Sequence, residues 1–173
     1  MDTQAKTNDL GGSAAEQSVG YSLSQLGFET SRRFGEIIAT LGLEPRHFAL
    51  LRAVARSEGQ SQQALAELLH IPASTMVALV DALELARLLE RRLHASDRRT
   101  RTIHLTPAGA DVLARATTLA WSWEGVICRG FQPAERAKLL GLLARVADNI
   151  GVIAGSLPDG GSGARPTHIS GAE

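Results

Sequence analysis

Ile71-Pro-Ala-Ser-Thr-Met-Val-Ala-Leu-Val-Asp-Ala-Leu-Glu84 is the stretch from which the fold can be read. Met76, Leu79, Val80 and Leu83 follow the spacing i, i+3, i+4, i+7, which places them on one stripe of a helix. Ser74, Ala78 and Asp81 fall on the opposite side, with Thr75 and Val77 on the flanks. A helix that is apolar behind and small or polar in front suits a DNA groove. It suits an ordinary surface helix equally, so its neighbours decide.

On the N-terminal side stands Ser61-Gln-Gln-Ala-Leu-Ala-Glu-Leu-Leu-His70. Ser61 is an N-cap candidate, and Leu65, Leu68 and Leu69 form the apolar face. The short link His70-Ile71-Pro72 turns the chain into the next helix, so the pair reads as helix-turn-helix. On the C-terminal side come Leu88–Leu93, the polar run His94–Thr100, and Arg101-Thr-Ile-His-Leu-Thr106. In the last run Thr102, His104 and Thr106 alternate with Ile103 and Leu105, the period of a strand. A helix-turn-helix followed by a basic hairpin is a winged helix.

These residues resemble the MarR family of transcriptional regulators. The resemblance rests on Ser61-Gln-Gln-Ala-Leu-Ala, Ser74–Glu84, Leu89-Glu-Arg-Arg92, Asp97-Arg-Arg99 and Leu105-Thr-Pro-Ala-Gly109, and it spans roughly residues 20–153. Two positions depart from the family pattern. Val77-Ala78 stand where many members carry a polar residue and then Arg, and Arg87 stands where many carry Gly. The resemblance implies a homodimeric DNA-binding protein, not an enzyme. It also implies terminal helices packed about a two-fold axis, and often release from DNA by a small aromatic acid.

Composition agrees. Apolar content of 44% and charged content of 21% are globular values, and 173 residues suffice for one domain with a real core. The formal net charge is zero, but residues 87–101 hold six arginines (87, 91, 92, 98, 99 and 101) against Glu90 and Asp97, a local excess of +4. Local charge, not net charge, sets the field at a DNA contact.

Along the rest of the chain, residues 1–19 and 154–173 are polar or Gly-rich and are expected to be flexible ends. The domain proper is 20–153, with a DNA-binding lobe at 42–106 and dimerisation helices at 20–41 and 107–153. The first helix carries Leu23, Leu26, Phe34, Ile37, Ile38 and Leu41 around much of its cylinder, more than one buried face requires. Glu44-Pro45 opens the second helix, with His47, Leu50, Leu51 and Val54 on one side. Thr106-Pro107 starts the fifth, which Arg129-Gly130-Phe131 ends. Gln132-Pro133-Ala134-Glu135 starts the sixth, where Glu135 completes a capping box. Leu139, Leu143, Val146, Ile150 and Ile153 then form a seam that wants a partner helix. The fold class is mainly α with a small β-hairpin wing: a winged helix-turn-helix core flanked by dimerisation helices.

The expected DNA contacts follow. Ser61, Gln62, Ser74 and Thr75 lie at helix N-termini, where hydroxyls and free N–H groups meet phosphate; plain capping is the other use of Ser61. Val77 and Ala78 have no hydrogen-bond donors and can recognise a thymine methyl, while Asp81 could accept from cytosine. Arg98 and Arg99 at the wing tip would enter the minor groove. Arg91, Arg92 and Arg101 would contact or flank the backbone, one of them pairing only with Glu90. From the family pattern, Asp97 orients a wing arginine. From the same resemblance, candidate effector contacts are Phe34, His47, Leu51, Trp121 and Trp123, with Arg46, Arg32 or Arg33 holding a carboxylate.

No catalytic constellation is visible. The five histidines and Cys128 form no metal-ligand pattern, so no metal and no cofactor are expected. A single cysteine, an N-terminus without an apolar leader core and the lack of a membrane-length run point to the cytoplasm. Two other readings stand beside DNA binding: a winged helix used only for protein–protein contact, and a regulator that responds to oxidation of Cys128.

Overall fold

The computed structural model describes residues 18–93 and 100–152. The flexible ends expected from sequence, and the wing-tip residues Asp97, Arg98 and Arg99, lie outside that range. Six helices and one hairpin follow in order: α1 Val19–Ala39, α2 Pro45–Arg56, α3 Gln62–Leu69, α4 Ala73–Leu85, β1 Leu89–Leu93, β2 Arg101–Leu105, α5 Pro107–Ile127 and α6 Pro133–Asn149. No single helix among the described residues is long and apolar enough to cross a membrane.

Local chemistry explains where the helices begin. The Ser61 hydroxyl accepts the Ala64 N–H at 3.2 Å, and Thr106 Oγ1 accepts the Gly109 N–H at 2.9 Å. Glu135 reaches back to the Gln132 N–H at 2.8 Å, the expected capping box. In α2 the analogous place is held by His47, whose Nδ1 accepts the Glu44 N–H at 3.2 Å. That ring nitrogen is therefore an acceptor, and burial lowers the His47 pKa further in the same direction.

Both helices of the helix-turn-helix end in the same way. Ile71 N–H bonds the Ala66 carbonyl, and Leu88 N–H bonds the Leu83 carbonyl. The residue before each, His70 (φ 52°) or Arg87 (φ 58°), turns left-handed. Arg87 thus occupies the backbone conformation that glycine adopts most easily. The chain bends by 113° between α3 and α4, within the range of helix-turn-helix pairs.

The hairpin pairs antiparallel in the register Leu89↔Leu105 through Leu93↔Arg101. Gly59 to Ser61 adds a short third line along β2. Gly59 N–H bonds the Ile103 carbonyl, Ile103 N–H bonds the Gln60 carbonyl, and Ser61 bridges Thr102. This changes the expected alternation. Thr102 is buried, not solvent-facing, and its hydroxyl reaches the Arg92 carbonyl and His104 Nε2.

The core is concentrated in the lobe. Ile38 and Ala116 are the two buried hydrophobic residues outside the span from Leu43 to Ile103 among those described. All four stripe residues of α4 are buried, at 3% exposure or less. Leu68, expected on the inner face of α3, is instead exposed. Helix α6 buries no residue.

The Leu105–Gly109 segment joins the wing to α5 by close contact. Thr106 donates its hydroxyl to the Arg87 carbonyl at 2.7 Å and its N–H to the Leu88 carbonyl at 3.1 Å. Pro107 fills a first-turn position that needs no donor. Gly109 sits so near the wing that a Cβ there would lie 1.9 Å from the Leu88 carbonyl oxygen. Only glycine fits.

Candidate nucleic-acid interface

Helix α4 faces outward with Ser74, Val77, Ala78 and Asp81, and Thr75 is half-buried at its side. The face follows from the buried stripe behind it, since a helix that inserts Met76, Leu79, Val80 and Leu83 into a core can expose only the remaining arc. Pro72 stands before the helix and gives it no side-chain cap, so first-turn N–H groups keep their capacity for an anionic partner. Ser61 spends its hydroxyl on capping α3. Beside it, Gln62 is half-buried, and its Nε2 is buried without a hydrogen-bond partner.

The arginines of the hairpin divide by environment. Arg101 is exposed at the outer end of β2 and forms no ion pair among the described residues. Arg92 is exposed and pairs with Glu90, two residues away, as one arginine was expected to do. Arg91 does not lie along the surface as expected. Its side chain is 13% exposed, and its guanidinium is held by Asp81 and Glu84 of α4 and by Gln62 Oε1 of α3 at 3.3 Å. Asp81, expected as a free acceptor for cytosine, is engaged by the same group.

The expected effector residues do not form one cluster. Phe34 packs on Phe48 with ring centroids 5.9 Å apart. His47 is engaged in the α2 cap. Leu51 is fully buried in the core. Trp123 is half-buried, with its indole N–H buried and unpartnered. The expected carboxylate holders are occupied. Arg46 pairs with Glu44, and Arg32 and Arg33 both hydrogen-bond Glu29, whose pKa they lower to about 2.

A different set does converge. Between α2, α5 and α6 lies an open cleft of about 390 Å³ lined by Phe48, Arg52, Thr117, Ala120, Trp121, Glu124 and Arg136. Of the expected residues, Trp121 belongs to it. Arg52 lies 5.5 Å above the Phe48 ring and forms no ion pair or hydrogen bond among the described residues. Arg136 is tied to Glu124 at 2.6 and 3.1 Å, and Cys128 Sγ donates to the same carboxylate at 3.5 Å. Sequence reasoning missed Phe48 and Arg52. Their i, i+4 spacing on α2 was the available signal.

Comparison with known proteins gives a consistent result. Residues 41–100 match the sequence model of the MarR family. A protein of Thauera aromatica, whose name assigns it to transcriptional regulation of the hcr operon, is 32% identical over 129 residues. The alignment covers 74% of this chain and 78% of that one. The transcriptional repressor CouR, solved bound to a 23-mer DNA duplex, superposes with a TM-score of 0.70 at 29% identity. It covers 84% of this chain and 99% of its own. CouR from Rhodococcus jostii RHA1, solved with p-coumaroyl-CoA, gives a TM-score of 0.67 at 25% identity over 77% of this chain and 94% of its own.

Proposed function

The chain belongs to the MarR family, a family of transcriptional regulators, and on that footing we propose that it is a homodimeric repressor that binds a palindromic operator and is released by a small aromatic acid or its coenzyme A thioester. The observation that carries the DNA-binding part is the outward arc of α4, bounded by a fully buried stripe and followed by an arginine-rich hairpin. In this reading Ser74 and Thr75 meet phosphate, and Val77 and Ala78 meet thymine methyls in the major groove. Arg98 and Arg99 supply charge at the minor groove, with Arg92 and Arg101 flanking the backbone.

The proposed effector site is the cleft of Phe48, Arg52 and Trp121. The aromatic walls suit a planar ring, and the Arg52 guanidinium, which pairs with no carboxylate among the described residues, suits an anionic group of the ligand. CouR, which resembles this chain in fold, is a repressor found with both DNA and p-coumaroyl-CoA. That pairing of ligands supports the same pairing here.

Fluorescence anisotropy with a selected operator tests both parts. Arg98→Ala with Arg99→Ala should flatten the dependence of log affinity on log salt by up to about two units, one per phosphate-type contact. An unchanged slope would remove the wing from the interface. An aromatic acyl-CoA, and less so coenzyme A alone, should release the operator from the unaltered protein, and Arg52→Gln should weaken that release about tenfold. Release that is indifferent to Arg52 would move the effector elsewhere.

A further inference from the structure

Arg91 sits at the root of the wing, paired across the hairpin with the fully buried Ile103. Its guanidinium serves three elements at once. Nε donates to Gln62 in the first turn of α3, and the two terminal nitrogens donate to Glu84 and Asp81 on α4. Its own N–H donates to Glu84 as well, at 3.2 Å, so one carboxylate holds both main chain and side chain of β1. Burial opposes the charge, but the hydrogen bonds to Asp81 and Glu84 outweigh it and raise the Arg91 pKa. Its neighbour Arg92 differs: it is 55% exposed and pairs with Glu90 of its own strand.

From this geometry we infer that Arg91 is a positioning residue, which locks the wing to the recognition helix and neutralises Asp81, and does not itself contact phosphate. The inference rests on the proposed docking of α4 and the wing. Reading two grooves at once requires a fixed offset between α4 and the hairpin. The fork of an arginine, with directed donors on two edges, fixes that offset in a way a point charge could not. The second consequence concerns charge. Asp81 lies on the outward arc of α4, where an unpaired carboxylate would repel the duplex. Held by Arg91, it does not.

The test compares Arg91→Met and Glu84→Gln with the unaltered protein, each shown to be folded by circular dichroism. Operator and random-sequence DNA are titrated across salt. Positioning predicts that both variants lose discrimination, the operator-to-random affinity ratio falling about tenfold. The salt slope of Arg91→Met should stay unchanged. Direct phosphate contact predicts the reverse pattern: the slope of Arg91→Met falls by about one, and Glu84→Gln, which frees Arg91, binds more tightly without losing discrimination. Either that pattern or an unchanged ratio in both variants overturns the inference. Amide hydrogen exchange of the free proteins separates this from the docking itself. Arg91→Met should speed exchange in β1 and β2 while α2 stays protected, whether or not DNA binds. Unchanged exchange in the hairpin would show that Arg91 does not lock it.

Discussion

The lobe from Leu43 to Leu105 and the terminal helices α1 and α6 are built from similar proportions of apolar residues and use them differently. In the lobe Leu50, Leu51, Leu65, Met76, Leu83, Leu89 and Ile103 are each under 2% exposed. In α1 and α6 Leu26, Phe28, Leu140 and Leu142 are each more than 45% exposed, and an apolar cleft runs between the two helices from Val19 to Val146. The core lies mostly within the lobe and is closed by Ile38 of α1 and Ala116 of α5. The terminal helices hold apolar surface in the open, which water penalises at roughly 25 cal/mol per Å² until something covers it. A second copy is what the proposed dimer brings to that surface. The difference teaches that one chain carries two tasks: a reader built on a buried core, to which α1 and α5 each lend a residue, and terminal helices whose apolar surface is left uncovered.

The sharpest way to break this contrast is to charge the terminal helices. Leu139→Asp with Leu143→Asp should raise the dimer dissociation constant more than a hundredfold, about 3 kcal/mol or more for carboxylates placed in an apolar seam. Sedimentation should then report a species of 18.4 kDa, with the helical content of the lobe retained. Loss of all helical signal would mean that the two regions fold as one unit.

The next largest effect strikes the join between the lobe and α5. Gly109→Ala must displace α5 from the Leu88 carbonyl, because the added Cβ would lie 1.9 Å from that oxygen. A loss of about 3 kcal/mol in thermal or denaturant unfolding is expected. A neutral result would mean that the wing and α5 adjust freely to one another.

A smaller change should improve the lobe. Arg87 sits at φ 58°, which costs a residue with a Cβ about 1 kcal/mol relative to glycine. Arg87→Gly should therefore stabilise the protein by about 0.5–1 kcal/mol, less the added freedom of glycine in the unfolded chain. Destabilisation would show that the Arg87 side chain contributes more than its backbone strain costs.

How much was legible in the sequence depends on how local the cause was. The stripe of α4, the caps at Ser61 and Thr106, and the box at Glu135 rest on spacings of three and four residues, and each is found where periodicity and capping chemistry place it. The order of elements followed from the same caps and periodicities, and the resemblance agreed with it. What could not be read was set by distant partners. Thr102 is buried because the segment before α3 pairs with β2. Leu68 is exposed although its spacing put it on the inner face. Arg91 turns inward because Asp81, Glu84 and Gln62 happen to converge on it, and a run of arginines looks alike in sequence whether its members face solvent or carboxylates. The cleft of Phe48, Arg52 and Trp121 is the same kind of case, since it exists only once α2 and α5 have packed.

The most direct test of the central claim is selection of bound sequences from a random double-stranded DNA pool by the purified protein. Two copies of α4 related by a two-fold axis should face successive major grooves. The expected winner is an inverted repeat whose half-site centres lie about ten base pairs apart, or a multiple of that. Thymine should recur at the positions facing Val77 and Ala78. A winner with direct repeats and no dyad, or a pool in which nothing is enriched, would contradict the account of this protein as a two-fold symmetric reader of DNA.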